Sequence, residues 1–260
     1  MYVNIFLSKL YLSFRFMNRK SIYSQYYSNI HLQKRVISKK DFTYRNLLSH
    51  VEPLIREEAK VLDIGCGTGA IDFYLASRGL HVTGIDVSKE AINAAKENSR
   101  RLGMVDKTNF YTCDFPVNGV GGIYDLVLVL DVLEHMHSDL YAIRKMKKSL
   151  AQEGFIIFSV PLLSAPLFRI GVLKNFENRV GHLRRYDINK FSDLMEKSGL
   201  QIIKMSMVEG VLRNSFYSNK FFGKFIKIIK GPLSDIFTVF DKIAVVLFGP
   251  SQLIVTAKKK

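Results

Sequence analysis

Asp131, Glu134 and His135 fall within five consecutive residues of the stretch Asp131-Val-Leu-Glu134-His135-Met-His137. An imidazole titrates near neutrality and can take a proton from a substrate, and a neighbouring carboxylate can orient it. Two carboxylates and an imidazole could equally hold a divalent ion that polarises a substrate oxygen. Spacing i, i+3, i+4 brings all three to one face if the segment turns helical. A second stretch, Gly181-His182-Leu-Arg184-Arg185-Tyr186-Asp187, offers another base in His182, expected to be exposed at the same edge. Arg184 or Arg185 would there meet an acidic substrate group. The third stretch is Val61–Gly69, Val-Leu-Asp-Ile-Gly-Cys-Gly-Thr-Gly. Glycines at alternate positions let the chain turn sharply and press against a ligand, and a helix start beyond them points N–H groups at it.

The spacing Gly-x-Gly-x-Gly, with Asp63 two residues ahead, departs from the dinucleotide fingerprint Gly-x-Gly-x-x-Gly. The Asp63 carboxylate would repel a pyrophosphate and attract a ligand carrying an ammonium and a sulfonium. Asp86 ends the next strand, 21 residues after Gly65, where an acid can take two ribose hydroxyls. At these residues the chain resembles the class I S-adenosylmethionine-dependent methyltransferases. The resemblance implies a Rossmann-like α/β fold: a doubly wound, mostly parallel seven-stranded sheet whose last strand runs antiparallel between the fifth and sixth. It implies S-adenosylmethionine as cofactor, held by Asp63, Gly65, Cys66, Gly67, Gly69, Asp86, Val87, Asp114, Phe115 and Leu130, with Asp114 on the adenine amino group.

The Glu134-His135 pair is similar to that of the quinone-biosynthesis O-methyltransferases, in which metal assistance is a theme. Gly181–Asp187 resembles the His-x-Arg-x-Tyr/Phe stretch of the type 11 methyltransferases. Methyl transfer is an in-line displacement at a carbon already activated by the sulfonium. The protein must align the acceptor and, for a hydroxyl, remove its proton. The expected catalytic residues are therefore His135, Glu134 and His182. A divalent cation held by Asp131, Glu134 and His135 is the alternative to base catalysis.

The elements that position these groups can be read from periodicity. Strands are expected at Lys60–Ile64, His81–Ile85, Thr108–Thr112, Asp125–Leu130, Phe155–Val160, Gln201–Met207 and Leu253–Ala257. Helices are expected at Asp41–Glu58, Ala70–Arg78, Lys89–Leu102, Ser138–Ala151 and before Gly199. Strands alternating with helices give a parallel, doubly wound sheet. Its ligands bind beyond the carboxyl ends of the strands. Residues 1–40 read as a basic aromatic extension and 41–260 as the methyltransferase domain, with 162–190 and 208–250 as lid or insert segments.

The 260 residues carry a formal charge of +15. Residues 1–40 hold eight Lys/Arg and no acid, residues 201–260 hold ten against three, and 41–200 hold twenty of each. The excess therefore belongs to the flanks. Two cysteines make no disulfide framework and suit a reducing, cytoplasmic setting. No apolar run is long enough to span a bilayer. Met1–Phe16 fits an anchor, a transit peptide or an over-extended start. Phe216–Leu247 reads as two amphipathic helices broken at Gly231-Pro232. The first gathers Lys220, Lys224, Lys227 and Lys230 on one side, opposite Phe221, Phe222, Phe225, Ile226, Ile228 and Ile229. The second gathers Leu233, Ile236, Phe237, Phe240, Ile243, Ala244 and Leu247. Such helices suit a lid, or an anionic membrane surface that admits a lipid-linked acceptor. A nucleic-acid methyltransferase fits the basic flanks but lacks the Asn/Asp-Pro-Pro-aromatic stretch that binds a flipped base. A non-catalytic module that binds S-adenosylmethionine is the remaining alternative.

Overall fold

Val61–Ile64 is an unbroken apolar run save for Asp63, and it forms a strand buried along its length, as a parallel strand covered on both faces must be. The computed structural model describes residues 32–218, 229 and 231–260. In chain order the first elements are α1 (Arg45–Val51), β1 (Lys60–Ile64), α2 (Ala70–Ala76), β2 (His81–Asp86), α3 (Lys89–Arg101) and β3 (Thr108–Thr112). Then follow β4 (Tyr124–Leu130), α4 (Asp139–Ser149), β5 (Leu150–Pro161), α5 (Pro166–Arg169), α6 (Lys174–Val180) and α7 (Ile188–Ser198). The chain closes with β6 (Leu200–Val208), α8 (Val211–Ser218), α9 (Pro232–Phe248) and β7 (Gln252–Lys259).

The strands form one sheet in the order β3-β2-β1-β4-β5-β7-β6, parallel from β3 to β5. β7 is antiparallel to both β5 and β6, as the family resemblance implied. Alternation along β4 builds the two cores. Val127 and Val129 join Phe158, Ile143, Met146 and Phe191 on one face. Leu126 and Leu128 join Val61, Leu75, Ile71 and Leu48 on the other. Ser88 accepts from Ala91 N to cap α3, and Asp187 accepts from Asn189 N and Lys190 N to cap α7, which ends at left-handed Gly199.

Besides shifts at element ends, the largest being β5 beginning at Leu150 and not Phe155, two elements differ from the sequence expectation. The helix expected over Asp41–Glu58 is only α1 followed by a 3-10 turn at Glu52–Leu54. Pro53 supplies no N–H to continue the ladder, and Asp41 is drawn into a turn by Ser38 N and Arg35. The second difference is the facing of α9. Its buried residues are Ser234, Thr238, Asp241 and Ala244, while Leu233, Ile236, Phe240, Ile243 and Leu247 point to solvent. The cause is Arg213 on α8, fully buried, with its Nε on Asp241 at 3.4 Å. Asp241 also accepts from Gly210 N and Arg213 N at the start of α8. A buried guanidinium needs its carboxylate, so the polar seam turns inward. Phe237 alone of the large apolar set packs inward, edge-on to Phe42. Lys220, Lys224, Lys227 and Lys230 and the aromatic face expected opposite them lie outside the described residues, apart from the buried Ile229.

Candidate active site

The glycine turn after β1 is pinned by β2. Gly65 N and Cys66 N both donate to Ile85 O, at 2.7 and 3.0 Å, and Gly67 N donates to Asp86 Oδ2 at 3.0 Å. Ser88 N donates to the other Asp86 oxygen at 2.8 Å. Burial raises the Asp86 carboxyl above its ordinary value even though these N–H groups favour the charged form. Gly65 has φ +81° and a Cβ there would meet Val132 Cγ2 at 2.2 Å, so the close approach of β1 and β4 admits no side chain.

A cavity of about 730 Å³ opens from this turn along the carboxyl ends of the strands. Gly65, Asp86, Val87, Asp114, Phe115 and Leu130 line one end. Asp131, Glu134, His135, Phe176, Arg179 and His182 line the other. Six of the ten expected cofactor residues thus share one wall. Asp63, Cys66, Gly67 and Gly69 lie behind it. The Cys66 side chain packs with Phe73, Ile92 and Phe110, and burial pushes its thiol well up, so only its backbone faces the turn. Asp63 is buried against Asp72, a residue that sequence reasoning missed. Burial, then the neighbouring carboxyl, pushes Asp63 well above its ordinary value, and burial pushes Asp72 to about 7. Its signal in the sequence was an acid in the first turn of the helix behind the glycines.

At the other end, Leu133–His135 makes a single 3-10 turn. The three residues expected on one face do not stay together. Asp131 takes a left-handed φ of 56°, and its carboxylate accepts from Gln252 Nε2 and from Ser159 Oγ at 3.3 Å. Glu134, fully buried and with neither carboxyl oxygen hydrogen-bonded, faces His182 instead, Oε1 to Nε2 at 3.7 Å. Burial, then the neighbouring Asp131, pushes its carboxyl well above its ordinary value. His135 Nδ1 lies 3.2 Å from Gly181 O, and the His135 and His182 rings pack edge to face at 4.8 Å. The trio actually assembled is Glu134, His135 and His182, each offering one atom within 4.8 Å of the others, a spacing that could also hold a metal ion.

His182 is not exposed as the sequence suggested. It is wedged between Glu134 and Glu177, with only 10% of its side chain accessible. The arginines after it are consumed internally. Arg184 pairs with Asp139 at 3.1 Å and donates to His137 O, and Arg185 pairs with Glu177 at 2.5 Å and donates to Leu162 O. They brace the loop, and Arg185 also lines the cavity. Glu177, on α6, was likewise not singled out, and its only sequence signal is an acid five residues before His182.

A family model described as a methyltransferase domain matches residues 34–205. The chain belongs to that family. Its cofactor, S-adenosylmethionine, suits the site: the left-handed Gly65 brings bare backbone to the cavity wall, and the Asp86 and Asp114 carboxylates line the same cavity as hydrogen-bond acceptors for hydroxyl and amino groups. The methyltransferase chain is similar to the ubiquinone biosynthesis O-methyltransferase of Actinobacillus pleuropneumoniae serotype 7, at 32% identity over 104 residues, covering 38% of this chain and 44% of that one. It is 30% identical over 100 residues to the enzyme of that name from Aeromonas salmonicida, covering 38% and 42%. The matched region spans less than half the length of either relative. Among solved structures, an S-adenosylmethionine-dependent methyltransferase from Mesorhizobium loti superposes with a TM-score of 0.61 at 16% identity, over 84% of this chain and 98% of that one. Coclaurine N-methyltransferase bound to N-methylheliamine and S-adenosylhomocysteine gives 0.60 at 16%, over 88% and 75%. At such identities these likenesses concern the fold.

Proposed function

We propose that this methyltransferase domain transfers a methyl group from S-adenosylmethionine to a hydroxyl oxygen of a small or lipid-linked acceptor, working peripherally on an anionic membrane surface. The observation that carries the reading is the continuous cavity from Gly65 and Asp86 to Glu134, His135 and His182. A hydroxyl both donates and accepts. It donates to His182 Nε2 and lies beside Glu134, whose oxygens have no other hydrogen-bond partner. S-adenosylmethionine, when bound, would supply an electrophilic methyl whose sulfur leaves with the bonding pair, and His182 takes the proton that the hydroxyl loses. His135 packs against the His182 ring and walls the acceptor. The relatives that carry the name of ubiquinone biosynthesis O-methyltransferases support oxygen as the acceptor atom.

The membrane part rests on α9, whose solvent side carries Phe240, Val246, Leu247 and Phe248, all more than half exposed. A helix that buries Ser234, Thr238 and Asp241 and presents most of its apolar side chains outward suits an apolar phase. The lysines at 220, 224, 227 and 230 supply the charge for anionic lipid. None of the helices among the described residues is long and apolar enough to cross a membrane.

The test is transfer of labelled methyl from S-adenosylmethionine to 4-hexylcatechol. His182→Ala should lower kcat by about 10²–10⁴ with cofactor affinity kept, the usual worth of a general base. Losses below about tenfold at both His182 and His135 would contradict base catalysis. Activity lost to a chelator and restored by a divalent ion would assign the trio to a metal.

A further inference from the structure

We propose that Glu177 is a positioning residue for catalysis, holding His182 in the one tautomer and orientation that can accept a proton from the acceptor. The proposal rests on the reading of His182 as base. Glu177 lies on α6, a different element from either histidine, and its two carboxylate oxygens are divided between His182 and Arg185. Oε2 is 2.9 Å from His182 Nδ1, and Oε1 is 2.5 Å from Arg185 Nη2. Burial raises the Glu177 carboxyl, but hydrogen bonds from His182 and Arg185 outweigh it and leave the group below its ordinary value. The Arg185 guanidinium pairs with Glu177 as a carboxylate, and a carboxylate can only accept.

From that follows the tautomer. The His182 nitrogen facing Glu177 must carry the hydrogen, so Nε2 presents its lone pair. That lone pair faces Glu134 Oε1 across 3.7 Å, beside the cavity. The opposite tautomer would set a lone pair against the carboxylate and an N–H toward the acceptor, which is useless for proton removal. Phe176, edge-on to His182 at 6.0 Å, and His135 confine the ring so that it cannot flip without moving its neighbours. Arg185, stacked on Phe168 and donating to Leu162 O, fixes Glu177 in turn. When His182 takes the proton, the charge formed on the ring is balanced by the carboxylate behind it. Glu177 itself takes no proton.

The first readout is nitrogen NMR of the full chain, with the His182 signals assigned by their loss in His182→Ala. The wild type should show protonated Nδ1 and bare Nε2. Glu177→Gln, which can still accept through its amide oxygen, should keep that tautomer. Glu177→Ala should give a mixture, with His135 unchanged. An unaltered His182 spectrum in Glu177→Ala overturns the proposal. The second readout is methyl transfer to 4-hexylcatechol. Glu177→Ala should lower kcat by about 10–100-fold with KM for S-adenosylmethionine unchanged. In a His182→Ala background the same change should cost less than about twofold, because it acts through a ring no longer there. An undiminished further loss in that background, or a rise in KM in place of the kcat loss, marks a merely structural role and overturns the proposal. Full activity of His182→Ala, or no methylation of the catechol by the wild type, overturns the underlying reading, and the NMR arm still reports whether Glu177 sets the tautomer.

Discussion

Single residues carry the chemistry here, and burial decides what each can do. The clearest case is the pair behind the glycine turn. Asp72 titrates at about 7 in the fold, because burial disfavours its charge, against an ordinary value of 3.8. Below about pH 4 it is protonated whether the chain is folded or not, and it costs nothing. Between about pH 4 and 7 the unfolded chain loses its proton while the folded one keeps it, so stability falls as pH rises. Asp72→Asn removes that cost. It should raise the melting temperature at pH 8 by an amount equivalent to a few kcal/mol, and leave it nearly unchanged at pH 4. Equal shifts at both pH values would contradict the account. Asp63, beside it, explains why its position in the glycine stretch did not reveal its surroundings: a motif gives the residue type but not which oxygens are left in a dry pocket.

Among the elements, the strand ends and α9 were legible to different degrees. β1 and β3 have the bounds that the apolar runs indicated, and β7 sits antiparallel between β5 and β6. Periodicity suffices there because a parallel strand buried on both faces has no polar alternative. The pairing of Glu134 with His182 was not legible, since it depends on a left-handed Asp131 that sends its carboxylate away to Gln252. Nor was the facing of α9. A helical wheel ranks hydrophobicity, but the buried Arg213 set the rotation by demanding Asp241. Asp241→Ala should therefore cost about 3–5 kcal/mol in denaturant unfolding, the usual effect of stranding one partner of a buried pair. A loss below about 1 kcal/mol would mean that the seam does not fix α9. The outward face makes its own prediction. Sedimentation with anionic vesicles should bring down the protein, and Phe240→Ser with Val246→Ser should release it without lowering the melting temperature. Equal indifference to anionic and neutral vesicles would leave the face without a membrane role.

At the scale of the whole molecule, the charge is divided as the functions are. The balanced middle of the chain builds β1–β5 and most of the cavity wall, while the basic excess lies in the first 40 and last 60 residues, the latter also carrying β7 and nearly all of β6. The parallel half of the sheet delivers Gly65, Asp86 and Asp131 to one edge, and the segments after β5 and β6 bring His182 and Glu209 to the same cavity. Everything in this arrangement presupposes that the cavity beside the glycine turn takes S-adenosylmethionine. Isothermal titration of the purified chain tests that most directly. The account predicts micromolar-range binding of S-adenosylmethionine, no binding of NAD, and loss of the heat signal in Gly65→Val, whose side chain would enter the space of Val132. Binding of NAD with indifference to S-adenosylmethionine would contradict it.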